Sequence, residues 1–288
     1  MLAARAGWNV QAVAGRSREA AQEAAARIGP AVRVCTPAEA AASAKLILLT
    51  VSDDAIEETA SRLADQGAFA RGAVVAHCSG ALSSHALLPA AMAATCPLGS
   101  MHPLQTFPTV DTALAKLPGT YFFCEGDDAA VAVLEQLARD IGGKPVRIAP
   151  EAKTLYHAAA VIACNYLVSL LDAALTIEEA AGISRSTARA ALGPLVRATV
   201  ENALSMGPVE ALTGPIARGD AGTIQRHIEA LGELPAQFRI LYAALGGYTV
   251  ELAVRKGSID TSTAIALWQM LLSGTPDAPD KKSHRRKK

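Results

Sequence analysis

The stretch PEAKTLYHAAAVIACNY, residues 150–166, carries Lys153 and His157 four residues apart. On a helix they lie one above the other, followed at helical spacing by Ala160 and Cys164, whose small side chains leave room for a ligand. An amine and an imidazole are proton-transfer groups. The plainer reading is a solvated lysine in a first turn and a histidine satisfied at an interface. His102 in GSMHPLQTF, residues 99–107, is the third catalytic candidate, and Pro103 holds it in extended backbone. In HCSG, residues 77–80, Ser79 and Gly80 present a hydroxyl and a backbone amide suited to a substrate carboxylate, although both residues are also common in turns. The substrate-side set is completed by Asn165 and, from ALTGPIARGD at 211–220, by Gly214 and the anion-binding candidate Arg218. In that segment the glycines around Pro215 permit a tight turn and Asp220 suits a helix cap; a plain interhelix connector with a solvated arginine fits equally.

These residues need elements to position them. From Trp8 to Ile148 short β-type runs alternate with alanine-rich helical ones, the pattern of a doubly wound parallel sheet of Rossmann-like type. Strands are expected at 10–14, 32–35, 46–51, 74–78, 121–124 and 146–148, and helices at 18–28, 55–65, 84–94 and 128–141. Ser17 is expected to cap the first helix and Asp53 or Asp54 the second, with Gly29 and Gly142 as left-handed caps. LILLTV, wholly apolar, suits a central strand.

A dinucleotide fold opens with a strand, a Gly-x-Gly-x-x-Gly loop and a helix whose amino end faces the pyrophosphate. That motif is absent, and MLAARAGW reads as the end of that helix with Gly7 as its cap. Either about 20 residues precede Met1 or the motif has been lost; the hole left by a missing first strand favours the former. After the next strand, Arg16 and Ser17 stand where an acidic residue would select NAD, and a guanidinium suits a 2′-phosphate. The expected cofactor is therefore NADP, with NAD possible. Thr50, Val51, Ser52 and His77 follow later strands on the same side and join the cofactor-binding set.

Beyond residue 150 helical periodicity runs to about Ser273, so the expected domains are 1–149, an all-helical 150–273, and a disordered basic tail at 274–288. Such helical halves complete sites by dimerising, and a homodimer through this half is expected. Charge balances at 27 against 27, which points away from nucleic acid and membrane surfaces as partners. Five scattered cysteines, at 35, 78, 96, 124 and 164, form no CxxC pair, so neither a disulfide framework nor a metal site is expected. With no apolar run of membrane-span length read from the sequence, the expected location is the cytoplasm.

HCSGA, GSMHPLQTF, the Lys-x-x-x-His helix and LTGPIARGD, in this order, resemble the bacterial Rossmann-like proteins with a C-terminal helical domain of unknown function 2520, which are provisionally labelled NADP oxidoreductases. More distantly the chain is similar to the β-hydroxyacid and 6-phosphogluconate dehydrogenases. That resemblance implies a substrate-binding turn at Ser79-Gly80-Ala81 and a catalytic role for Lys153, with His157 standing where those enzymes carry asparagine. His102-Pro103 is similar to a His-Pro segment of prephenate dehydrogenase. The expected function is hydride transfer between NADP and a small, anionic, carboxylate-bearing alcohol, ketone or imine. Lys153 would move the proton, His157 or His102 would assist, and Ser79, Gly80 and Arg218 would hold the anionic group. The alternative is a non-catalytic protein on this fold that senses a dinucleotide or metabolite.

Overall fold

The computed structural model describes residues 1–273. The expected tail at 274–288 lies outside the described residues. The chain divides into two compact units, the first Met1–Leu167 and the second beginning at Val168.

The first unit is a Rossmann-like α/β fold. After a short helix α1 (Leu2–Arg5) come β1 (Ala12–Val13), α2 (Arg18–Ile28), β2 (Arg33–Val34), α3 (Pro37–Ala42), β3 (Leu46–Leu49), α4 (Asp53–Asp65) and β4 (Val74–His77). There follow α5 (Leu88–Ala94), β5 (Leu98–Pro103), α6 (Val110–Lys116), β6 (Tyr121–Gly126), α7 (Asp128–Asp140) and β7 (Lys144–Arg147). β1 and β2 form a parallel pair of their own, while the main sheet has the order β3-β4-β5-β6-β7. All its neighbours are parallel except β5 and β6, which run antiparallel with Ser100 opposite Glu125.

β3 is therefore an edge of the main sheet rather than its centre, and Leu48 stands 38% exposed. β5 is the strand that composition hides. Gly99, Ser100 and Pro103 are poor strand formers. A Cβ at Gly99 would come within 2.6 Å of Leu134 on α7, so close packing of helix on sheet requires glycine there. One core lies between β3–β4 and α4–α5, with Ile56, Ala60, Leu63, Val75 and Leu87 fully enclosed; a second, around Phe122, Cys124 and Leu134, lies under α7.

Ser17 caps α2 as expected, its Oγ accepting from Ala20 N–H at 3.2 Å. Two expected caps differ. Ser52 occupies the cap position of α4, which frees the Asp53 side chain for Ser79 Oγ. Gly29 has φ 160°, extended rather than left-handed, whereas Gly142 at φ 83° is left-handed.

A 3-10 turn, Pro150–Ala152, leads into α8 (Lys153–Ala163), and after Cys164 the helical course resumes as α9 (Asn165–Ala180), which crosses the division between the units. Residues 150–180 are long and apolar enough to cross a membrane by length and composition, with mean hydropathy 1.8 and none of that window buried. The sequence reading missed this because Lys153, His157 and Asp172 punctuate the run. The second unit continues with α10 (Arg185–Met206), α11 (Pro208–Ala211), α12 (Ala221–Gly232), α13 (Ala236–Lys256) and α14 (Thr261–Leu272), of which α12, α13 and α14 pack around Ile224, Val250 and Leu267. Ser184 caps α10, and Asp220 caps α12 through Thr223 N–H at 3.0 Å.

Candidate functional site

At the end of β4, His77 is fully buried. Its Nδ1 accepts from Ser79 N–H at 3.1 Å, which places the ring hydrogen on Nε2, where it is donated to the Ser83 carbonyl at 3.1 Å. Burial also holds the ring pKa below the usual histidine value. A neutral His77 thus ties the loop of residues 78–83 at both ends. Ser79 Oγ donates to Asp53 Oδ2 at 2.8 Å and accepts from Ala81 and Leu82 N–H at 3.1 and 3.0 Å. The hydroxyl is engaged in the turn.

Lys153, the first residue of α8, is 1% exposed. Its ammonium donates to the Ser79 carbonyl at 2.6 Å and to Ser100 Oγ, and lies 3.7 Å from Glu125 Oε1. Glu125 in turn accepts from Ser84 N–H at 2.9 Å and Ser84 Oγ at 2.8 Å. A cation at a helix amino end opposes the helix dipole, and burial adds a desolvation cost; Glu125 offsets both. Burial nonetheless pushes the ammonium pKa below that of an ordinary lysine, against the pull of Glu125. The pair joins α8, β5 and β6 to both ends of the loop that presents Gly80.

His102, near the end of β5, shares a 2.8 Å hydrogen bond between its Nδ1 and the Tyr156 hydroxyl. Tyr156 rests on Phe123 with ring centroids 4.3 Å apart, and His102 meets Tyr156 and His157 edge-on at 5.7 and 5.9 Å. Burial, followed by the charges of Lys153 and His157, lowers the His102 pKa to about 4, so the ring is neutral at physiological pH. Burial alone pushes the Tyr156 hydroxyl up to about 12. Gly80 fits between the histidines: a Cβ there would lie 2.6 Å from His157 Nδ1 and 2.9 Å from His102 Nε2 and Cε1. His157 Nδ1 is buried without a hydrogen-bond partner. His102 Nε2 and His157 Nδ1, neither with a hydrogen-bond partner among the described residues, therefore flank the same glycine. They do so beyond the carboxyl ends of β4 and β5, where ligands of such sheets bind.

The structure thus brings Lys153, His157, His102, Ser79 and Gly80 together, with His77 behind them. Thr50, Val51 and Ser52 are exposed at the end of β3, and Arg16 and Ser17 at the end of β1. The Ser17 hydroxyl is occupied by its cap and by Glu19, while the Arg16 guanidinium has no partner among the described residues. Asn165 is exposed at the start of α9. Gly214, at φ 97°, and Arg218, 4.0 Å from Asp220, belong to the second unit.

Sequence reasoning missed Tyr156, Glu125, Ser100, Ser84 and the Asp53–Ser79 bond. Two signals were present. Tyr156 lies three residues after Lys153, on its side of the helix, and Glu125 is a lone charge ending the apolar run YFFC.

A mainly parallel sheet with a polar cluster at the carboxyl ends of its strands defines a Rossmann-type α/β protein. Residues 1–103 match the model of a Rossmann-like domain and residues 120–249 that of a domain of unknown function, DUF2520. The chain is thus similar to both domains, in that order along its length. No curated protein matches it. Among solved structures it is similar to protein TM1727 from Thermotoga maritima, with 25% identity, TM-score 0.67, and coverage of 84% of this chain and 90% of that one. It also shares its fold with an imine reductase from Pseudomonas sp. at 18% identity and TM-score 0.60, covering 94% and 93% of the two chains. A reductive aminase from Aspergillus terreus, solved with NADPH and ethyl levulinate, matches at 14% identity and TM-score 0.59, covering 94% and 88%.

Proposed function

We propose that the chain is an NADP-dependent oxidoreductase acting on the carbonyl or imine of a small molecule that also carries an anionic group. The observation that carries the reading is the approach of His102 Nε2 and His157 Nδ1, the latter buried without a hydrogen-bond partner, to the same glycine, Gly80. A buried nitrogen without a partner is costly to leave so, and a pair of ring nitrogens at one glycine suits a ligand with a polar reacting centre. Fold relatives include reductases of C=N bonds, one solved with NADPH.

The residues present fit both ends of the cofactor. The free guanidinium of Arg16 suits the 2′-phosphate, and the exposed backbone of residues 50–52 suits the nicotinamide ribose; no Gly-x-Gly-x-x-Gly for the pyrophosphate occurs within the 288 residues. When bound, the cofactor supplies hydride. The chain's part is to seat the substrate in the space over Gly80, to exclude water with the buried loop, and to hold the proton at the histidines. Asn165 is a further candidate for the anionic group.

We also propose that a second copy covers the apolar faces of α9 and α10, where Val168, Leu195 and Leu204 are each more than 60% exposed. Five free thiols suit a reducing cytoplasm. The test is to titrate the protein with NADPH by fluorescence, then repeat with Arg16→Ala. Binding weakened about tenfold by the substitution, with NADPH consumed on adding small ketones or imines, supports the reading. Binding without consumption favours a dinucleotide sensor, and no binding ends the cofactor assignment.

A further inference from the structure

The proposed reaction needs a proton source, and the dehydrogenase resemblance nominates Lys153. The geometry does not. Its ammonium donates to the Ser79 carbonyl and to Ser100 Oγ, is ion-paired with Glu125 at 3.7 Å, and is sealed from solvent with the rest of the side chain. A bound molecule would have to displace the loop to reach it.

Resting on the oxidoreductase reading, we infer that Tyr156 feeds a proton through His102 to the heteroatom of the group being reduced, and that Lys153 is a positioning residue. The Tyr156 hydroxyl has one protein partner among the described residues, His102 Nδ1 at 2.8 Å. Burial keeps the phenol protonated, so its hydrogen is available to the Nδ1 lone pair. The ring hydrogen then resides on Nε2, the atom that flanks Gly80. Stacking on Phe123 holds the phenol in place.

The step balances. Hydride from the reduced nicotinamide forms a bond to the carbon of C=O or C=N, and the π pair moves to the oxygen or nitrogen. That atom takes the hydrogen from Nε2 while Nδ1 takes the hydroxyl hydrogen of Tyr156. The imidazole passes, neutral, into its other tautomer; the phenolate then recovers its hydrogen from Nδ1 as Nε2 takes one from water, which leaves hydroxide and restores the starting state. An alkoxide or amide anion is a far stronger base than phenolate, so the transfer runs downhill, and at no point does the buried ring carry a charge, in keeping with its low pKa. Tyr156 acts through His102, which is the group in contact with substrate.

The test combines long-range nitrogen-15 NMR of the histidine rings with kinetics, on the full chain and its Tyr156→Phe variant. Phenylalanine keeps the stack on Phe123, and an unchanged melting temperature verifies the fold. In the wild type, His102 is expected to show a hydrogen on Nε2 and a bare Nδ1. In the variant that preference is lost, and the His102 titration midpoint rises because the neutral ring no longer receives a hydrogen bond. NADPH-dependent kcat on a panel of small ketones and imines falls roughly 10² to 10⁴-fold with little change in KM. A hydrogen on Nδ1 in the wild type, or a variant with unchanged tautomer and kcat, overturns the relay. The expected tautomer in a protein that neither binds nor consumes NADPH overturns the oxidoreductase reading, and the relay with it, while leaving the hydrogen-bonded couple intact.

Discussion

The Lys153 ammonium and the Glu125 carboxylate face each other across 3.7 Å with neither side chain reaching solvent. Such a pair adds little net stability compared with apolar residues of the same shape, yet removing one partner strands the other in a medium that solvates it poorly. Lys153→Ala should therefore lower unfolding free energy by about 3–5 kcal/mol. Lys153→Met combined with Glu125→Gln should recover much of that loss. Urea unfolding of the two variants checks both statements; equal stability of single and double variants would show that the charges do not feel each other.

Gly80→Ala places a methyl group 2.6 Å from His157 Nδ1 and 2.9 Å from the His102 ring. One ring or the loop must shift, at a cost of about 1–3 kcal/mol. The readout is a fall in melting temperature together with altered histidine ring NMR signals. Loss of NADPH-dependent turnover beyond that fall in stability would show that the space belongs to a ligand.

His102 makes stability depend on acid. Its folded pKa, about 4, lies below the 6.5 of a free histidine, so between those values the unfolded chain binds the extra proton. The stabilisation from this group is complete above pH 6.5 and is lost as pH falls toward 4. His102→Gln should flatten stability against pH in that window relative to the wild type. An NMR titration should place the His102 midpoint near 4, and a midpoint near 6.5 would remove this source of acid sensitivity.

The apolar surface of α9 and α10 yields a prediction about assembly. Leu204, 80% exposed on α10, should tolerate glutamate in a monomer without effect. In the proposed dimer, Leu204→Glu should shift the mass measured by light scattering toward that of one chain, with unchanged helical content.

The sequence announced the alternating elements of the first unit and the helical run of the second because periodicity reports burial on a fixed side. β5 escaped for a local reason: its glycine, serine and proline are chosen by neighbours, Leu134 above Gly99 and Lys153 beside Ser100, that lie far along the chain. The candidate site was legible at Lys153, His102, His157 and Gly80, whose types suit chemistry. Their division of labour was not. That Lys153 is sealed and Tyr156 is coupled to His102 follows from pairings 53, 54 and 74 residues apart, which spacing along one helix cannot foretell.

The separation of β1–β2 from the main sheet has a dynamic consequence. This pair and α2 bury Ala21 and Ala25, neither of which belongs to the two cores beneath the main sheet. Amide protons of Val13 and Val34 should exchange with solvent through local opening, long before those of Val75 and Phe122, which require global unfolding. Arg16 sits on this loosely held flap. A nucleotide that engages it would bear the entropy of stilling the flap, so cofactor affinity would respond to substitutions in α2 that touch no ligand.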